Sequence, residues 1–132
     1  VTDDSMDSPS MKKYVDTPCF NAVLNKEMWE MYLKNGYCGM KDYAVPLKAG
    51  SLENLPPALV ELAEFDCLHD QGKAFAEALE AAGNEVTLLE TKGTPHGYDG
   101  ILNSTVAKQC MDVRVRLLRK AFGMGEEKTE EI

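Results

Sequence analysis

The sequence predicts an α/β fold in which parallel strands carry flanking helices. Three observations point there. The run Ala58–Phe65 is nearly continuous in apolar residues, as in a strand covered on both faces of a parallel sheet. Val86–Leu89 reads as a second strand. Between them, Ala74, Phe75, Ala78, Leu79 and Ala82 recur at helical spacing. Strand, helix and strand in that order give a right-handed βαβ crossover.

Each element follows from local residue chemistry. Residues 1–20 are polar, hold Pro9 and Pro18, and read as a loop. A helix is predicted from about Asn25, with Met28, Trp29, Met31, Tyr32 and Leu33 as its buried stripe and Gly36 at its end. Residues 37–57, with Pro46, Pro56 and Pro57, form a connection long enough to line or cover a site. Asp70 is the expected cap of the helix between the strands, and Gly83 stops it. The last helix runs from about Ser104 to Gly123. It is expected to bury Val106, Ala107, Cys110, Met111, Leu117, Leu118 and Phe122. Arg114, Arg116, Arg119 and Lys120 sit towards its C-terminal end, where positive charge is favoured. Residues 1–132 thus divide into a connecting, cap-like segment with one helix (1–57), a βαβα core (58–123) and an acidic tail (124–132). Two strands do not make a stable parallel sheet, so the chain is expected to be part of a larger domain. The exposed strand edge and helix faces predict a homo-oligomer.

Composition narrows the function. The 132 residues suit one domain with a real core. The hydrophobic and charged fractions, 44% and 27%, are those of an ordinary globular protein. A net charge of −8 argues against nucleic acid and against an anionic membrane surface. No apolar stretch approaches the roughly 18 residues of a membrane span. Cys19, Cys38, Cys67 and Cys110 form no C-x-x-C pair and match no zinc spacing. Four free thiols, no secretory leader pattern and a cytoplasmic location are the expectation.

The residues that carry chemistry are Asp66 and His96. Asp66 ends the first strand, and His96 lies just past the second in Thr94-Pro-His-Gly-Tyr98. Consecutive parallel strands bring their ends together, so the carboxylate and imidazole can form an orienter–base pair. The order acid, then histidine, is that of an α/β-hydrolase triad. Ser5, Ser8, Ser10, Ser51 and Ser104 all lie outside a G-x-S-x-G elbow, and no H-G-G-G oxyanion loop is present. Cysteine can act as a nucleophile. Cys67, however, directly follows Asp66, a poor place from which to face the histidine. His69 reads as a solvated residue at a helix start. No spacing supports a metal site, and no cofactor is implied.

At these residues the chain resembles the hormone-sensitive-lipase-like branch of the α/β-hydrolases. Leu55-Pro-Pro-Ala-Leu-Val60 with Ala63-Glu-Phe-Asp-Cys-Leu-His-Asp70 is similar to that family's seventh strand and acid loop, L-P-P-A-L-V then A-E-x-D-P-L-R-D-E-G. Asp42–Ala49 resembles the approach to that strand, and Val1-Thr-Asp3 the end of the sixth. Pro95-His-Gly-Tyr98 resembles the histidine loop, usually H-G-F. Cys67 replaces the usual proline, His69 a common arginine, Gln71 a frequent acid and Tyr98 a common phenylalanine. The resemblance covers Val1 to about Phe122. It implies a partial α/β-hydrolase fold, Asp66 as triad acid and His96 as triad base. It also implies a parent that hydrolyses a small carboxylic ester, with the serine and oxyanion loop in the preceding part. A prolyl-oligopeptidase-type serine peptidase shares the acid–histidine order, and an association module without enzymatic activity is the rival from another class.

Overall fold

Two parallel strands and the helix between them fix the site. A computed structural model describes residues 1–101 and 103–125, in two units, Val1–Tyr98 and Asp99 onward. Strand β1 is Ala58–Phe65, helix α4 is His69–Ala81 and strand β2 is Val86–Pro95. Among the described residues the sheet has these two strands, in register from Ala58 opposite Val86 to Ala63 opposite Thr91. β2 runs beyond the expected Leu89. The buried Thr91 hydroxyl donates to the Leu62 carbonyl (3.0 Å) and bonds the Thr94 hydroxyl (2.6 Å), which holds the polar stretch on the sheet. The ladder then breaks, and Phe65 pairs with Pro95. Gly93 takes φ +69° in this bulge, and its N–H donates to the Glu64 carboxylate (2.7 Å). A bulge bends its strand and re-aims the side chains beyond it. His96 is the first residue past this strand.

Helix α4 packs on β1. Its entry differs from expectation. Asp70 lies inside the first turn rather than at the cap, and the Asp66 carboxylate takes up the Leu68 N–H (2.8 Å). A carboxylate in the first turn still complements the helix dipole. Leu79 is buried as expected and Ala74, Phe75, Ala78 and Ala82 are half-buried, while Gln71 and Ala76 are buried besides. Gly83, at φ +86°, ends the helix: its N–H donates to the Glu80 carbonyl and that of Asn84 to the Leu79 carbonyl. That is the Schellman arrangement, which favours glycine in the left-handed position.

The first 57 residues hold more structure than a loop and one helix. Helix α1 is Pro9–Lys13, with Ser8 accepting the Met11 N–H (3.2 Å) and Pro9 in the first turn. Five residues are too few to show a helical period, so only the Ser-Pro start signals it. Ser10 docks this helix: its N–H donates to Asp70 (2.7 Å) and its hydroxyl to the Cys67 carbonyl (2.9 Å). Met11, Ala22 and Cys67 form a small core. Helix α2, Ala22–Tyr32, starts before Asn25 because Asn21 caps it, accepting the Leu24 N–H (3.1 Å). Its buried stripe is Ala22, Asn25 and Trp29; Met31 and Tyr32 are exposed, against expectation. Helix α3, Lys41–Ala44, and a 3₁₀ turn, Pro46–Lys48, occupy the long connection around the buried Val45.

Val1-Thr-Asp3 does not pair with β1 or β2. The Gln71 side chain accepts the N–H groups of Thr2 (2.7 Å) and Asp3 (3.1 Å), and Leu47 N–H donates to the Thr2 carbonyl (3.0 Å). Asp4 bonds Lys48 and accepts the Tyr37 hydroxyl (2.6 Å). Lys48, then Tyr37, hold the Asp4 carboxyl below its ordinary 3.8 against the opposing effect of burial. A lowered folded-state pKa gives stability that is present above the unfolded value and lost as pH falls through the folded one. The Leu47 amide is therefore expected to lose hydrogen-exchange protection below about pH 4, before amides of β1 do. Asp4→Asn should remove that acid step, and its persistence in the variant would clear Asp4 of the role.

The second unit holds helix α5, Thr105–Ala121, capped by Ser104, which accepts the Ala107 N–H (3.3 Å). Ala107 and Cys110 are buried, whereas Met111, Leu118 and Phe122 are exposed, contrary to the predicted stripe. Arg114 pairs with Asp99 at 2.8 Å. The acidic tail expected over 124–132 lies, from residue 126, outside the described residues. Among the described residues no helix is long and apolar enough to cross a membrane.

Candidate active site

β1 delivers Asp66 and the bulged end of β2 delivers His96. The structure brings them together: His96 Nδ1 lies 2.7 Å from Asp66 Oδ2. Asp66 Oδ1 accepts the Leu68 N–H, so both carboxylate oxygens are held. An ionised carboxylate only accepts hydrogen bonds, so a neutral His96 carries its proton on Nδ1. Its Nε2 is then a free base, with the Asp66 side chain 11% exposed behind it and the imidazole 38% exposed. Gly97, at φ +71°, lets the chain turn directly after the histidine. The Phe20 ring lies against the imidazole, centroids 5.0 Å apart and planes 39° apart. Such contact limits how far the ring can swing.

A cleft of about 170 Å³ opens at this pair, lined by Val60, Leu62, Asp66, Leu68, His69 and His96 among others. His69 is not the solvated residue expected from the sequence. It is half-buried, with Nδ1 3.0 Å from Asp70 Oδ1. Burial raises the pKa of Asp70, but its hydrogen bonds with His69 and Ser10 together outweigh that and hold it below the ordinary value. Cys67 is fully buried, and burial, with the Asp66 charge, pushes its thiol up to about 12. A thiol so hard to ionise is inert as a nucleophile. Cys19, Cys38 and Cys110 are free thiols as well. The serines are engaged elsewhere: Ser8 and Ser104 cap helices, Ser10 docks α1, Ser5 bonds Asp3 and Ser51 accepts the Glu53 N–H. Among the described residues no group of three or more His, Cys, Asp or Glu is placed to hold a metal ion.

Two partners are invisible in the sequence. Phe20 lies in a stretch that reads as loop, and nothing in its neighbourhood announces a contact with His96. Tyr98 is buried, and its hydroxyl donates to the Glu61 carboxylate on β1. Its one signal is the tyrosine itself, standing where the resembled pattern has phenylalanine.

The alpha/beta hydrolase fold family model matches residues 1–100. An ethyl acetate hydrolase of Pseudomonas putida is 34% identical over 98 residues, covering 74% of this chain and 31% of that protein. The carboxylic ester hydrolase LipN of Mycobacterium tuberculosis is 47% identical over 53 residues, 40% of this chain and 14% of its own length. Among solved structures, a bacterial heroin esterase superposes with a TM-score of 0.86 at 29% identity, over 96% of this chain and 41% of that one. A thermostable esterase from Pseudomonas putida gives 0.74 at 41% identity, over 84% and 36%. The chain thus spans well under half the length of these relatives. Matched by the family model over most of its length and carrying a parallel βαβ unit of the right order, the chain belongs to the α/β-hydrolase fold family, on its esterase and lipase side.

Proposed function

We propose that this chain supplies the acid and base of a Ser–Asp–His triad in a carboxylic ester hydrolase acting on small, short-chain acyl esters. The observation that carries the reading is the 2.7 Å contact between Asp66 and His96 at the ends of consecutive parallel strands. A serine from outside this chain attacks the ester carbonyl. Nε2 of His96 accepts the serine proton and returns it to the departing alcohol. It then takes a proton from the water that releases the acyl group as the acid and returns it to the serine, while Asp66 holds the tautomer and stabilises the imidazolium. Relatives named for ethyl acetate hydrolysis and for a heroin esterase support this chemistry more than peptide hydrolysis.

The 132-residue chain by itself is expected to leave p-nitrophenyl acetate at its background rate, because its serines are engaged elsewhere and its Cys67 thiol is inert. Turnover that disappears on His96→Ala would overturn the assignment of the nucleophile to another segment. β1 pairs with β2 along one edge and with no other strand among the described residues. An open edge beside an apolar run favours association. The isolated chain is expected to form a closed homo-oligomer by light scattering, and a monomer across a wide concentration range would count against it.

A further inference from the structure

The Asp66–His96 contact ties the loop after β2 back to the end of β1, and so does the bond from the Tyr98 hydroxyl to the Glu61 carboxylate. We infer that the Tyr98–Glu61 bond is a positioning strut for the His96 imidazole, an inference that rests on the dyad reading above. The loop it controls is short. Pro95 is held in register opposite Phe65, and Tyr98 is pinned to Glu61. Only His96 and Gly97 lie between these fixed points. Gly97 sits in the left-handed region without a side chain to pack, so it adds no restraint of its own. The orientation of the ring is then set by where the two ends are held. Tyr98 is 6% exposed, and a buried phenol is stable only with a partner for its hydroxyl. A carboxylate acceptor makes that bond charge-assisted and directional. The phenylalanine of the resembled histidine loop would fill the same space with no such bond. Tyr98 touches none of the reacting atoms of the proposed reaction, and it acts through His96.

The strut is read by nitrogen-15 spectra of histidine-labelled chain, at a pH where the imidazole is neutral, with His69→Gln used to assign the two rings. In the unaltered chain His96 is expected mainly as the Nδ1–H tautomer, and Asp66→Asn should abolish that preference. Tyr98→Phe should lower the ratio of Nδ1–H to Nε2–H about three- to tenfold, the worth of one modest hydrogen bond. Glu61→Gln keeps an acceptor oxygen for the phenol and should stay within about twofold of the unaltered ratio. Glu61→Ala should reproduce the loss, and it carries the test if Tyr98→Phe fails to fold by circular dichroism. A ratio unchanged in both Tyr98→Phe and Glu61→Ala overturns the strut and leaves the dyad standing. No Nδ1–H preference in the unaltered chain overturns the dyad reading and the strut with it.

Discussion

Asp66→Asn is expected to lower kcat for ester hydrolysis about 10⁴-fold, with KM little changed, in a protein that joins this chain to a serine nucleophile. The reason is proton placement. Asp66 lies 2.7 Å from His96 Nδ1 and, with the imidazole neutral, accepts a hydrogen bond from Nδ1–H, which leaves Nε2 bare to serve as base. An asparagine of the same shape could present its NH₂ group to Nδ1, and the imidazole would then carry its proton on Nε2. A ring protonated at Nε2 offers no lone pair to the serine. The imidazolium formed in the transition state would also lose its counter-charge. In the proposed reaction Asp66 acts through the imidazole and not on the ester, so the loss is expected on kcat. Asp66 has a second duty, since its Oδ1 holds the Leu68 N–H at the entrance to α4. Asparagine can keep that bond through its carbonyl oxygen, which is why it is a cleaner probe than alanine. Steady-state kinetics with p-nitrophenyl butyrate on paired wild-type and variant enzymes decides the matter. A loss of less than about tenfold would mean that Asp66 only shapes the turn.

The dyad is legible in the sequence for a physical reason. β1 and β2 are apolar runs bounded by turn residues, and parallel pairing with a helical crossover leaves little freedom in where their ends lie. Asp66 and His96 then have to be neighbours. The bulge that aims His96 is not legible: it depends on Gly93 bonding Glu64 and on two threonines bonding each other, contacts with no periodicity. The same holds for the helix faces. Met31 and Tyr32 look like core in a one-dimensional pattern, yet Asn25 takes the buried place. Its amide donates to Met6 Sδ (2.9 Å), a partner far away in sequence. Helix α1 is too short to show an apolar period; beside the buried Met11, the Ser8 cap and Ser10 bonding Asp70 and Cys67 hold it in place. Hydrophobic spacing reports burial along one element, and these residues are placed by polar bonds between elements.

Leu62→Ala should destabilise the chain by about 3 kcal/mol, and a second change, Gly72→Ala, should return part of that loss. Leu62 is 4% exposed at the contact between β1 and α4, so its truncation leaves a cavity in the core. Gly72 faces it from α4. A Cβ added at Gly72 would meet Leu62 Cδ2 at 2.6 Å, far inside van der Waals contact. In the unaltered chain Gly72→Ala therefore sets an overpacking cost of about 1–3 kcal/mol against a helix-propensity gain of about 1 kcal/mol. The net effect is neutral to unfavourable. With Leu62 already cut back, the clashing atom is gone. The new methyl then gains helix propensity and fills part of the cavity, so the same substitution becomes stabilising by about 1 kcal/mol. The more favourable effect of Gly72→Ala beside Leu62→Ala than in the unaltered chain is the diagnostic, because such coupling is expected when the two side chains compete for one volume. Urea unfolding of the four proteins of this cycle measures it. Effects that add within about 0.5 kcal/mol would show that α4 and β1 do not meet at this pair.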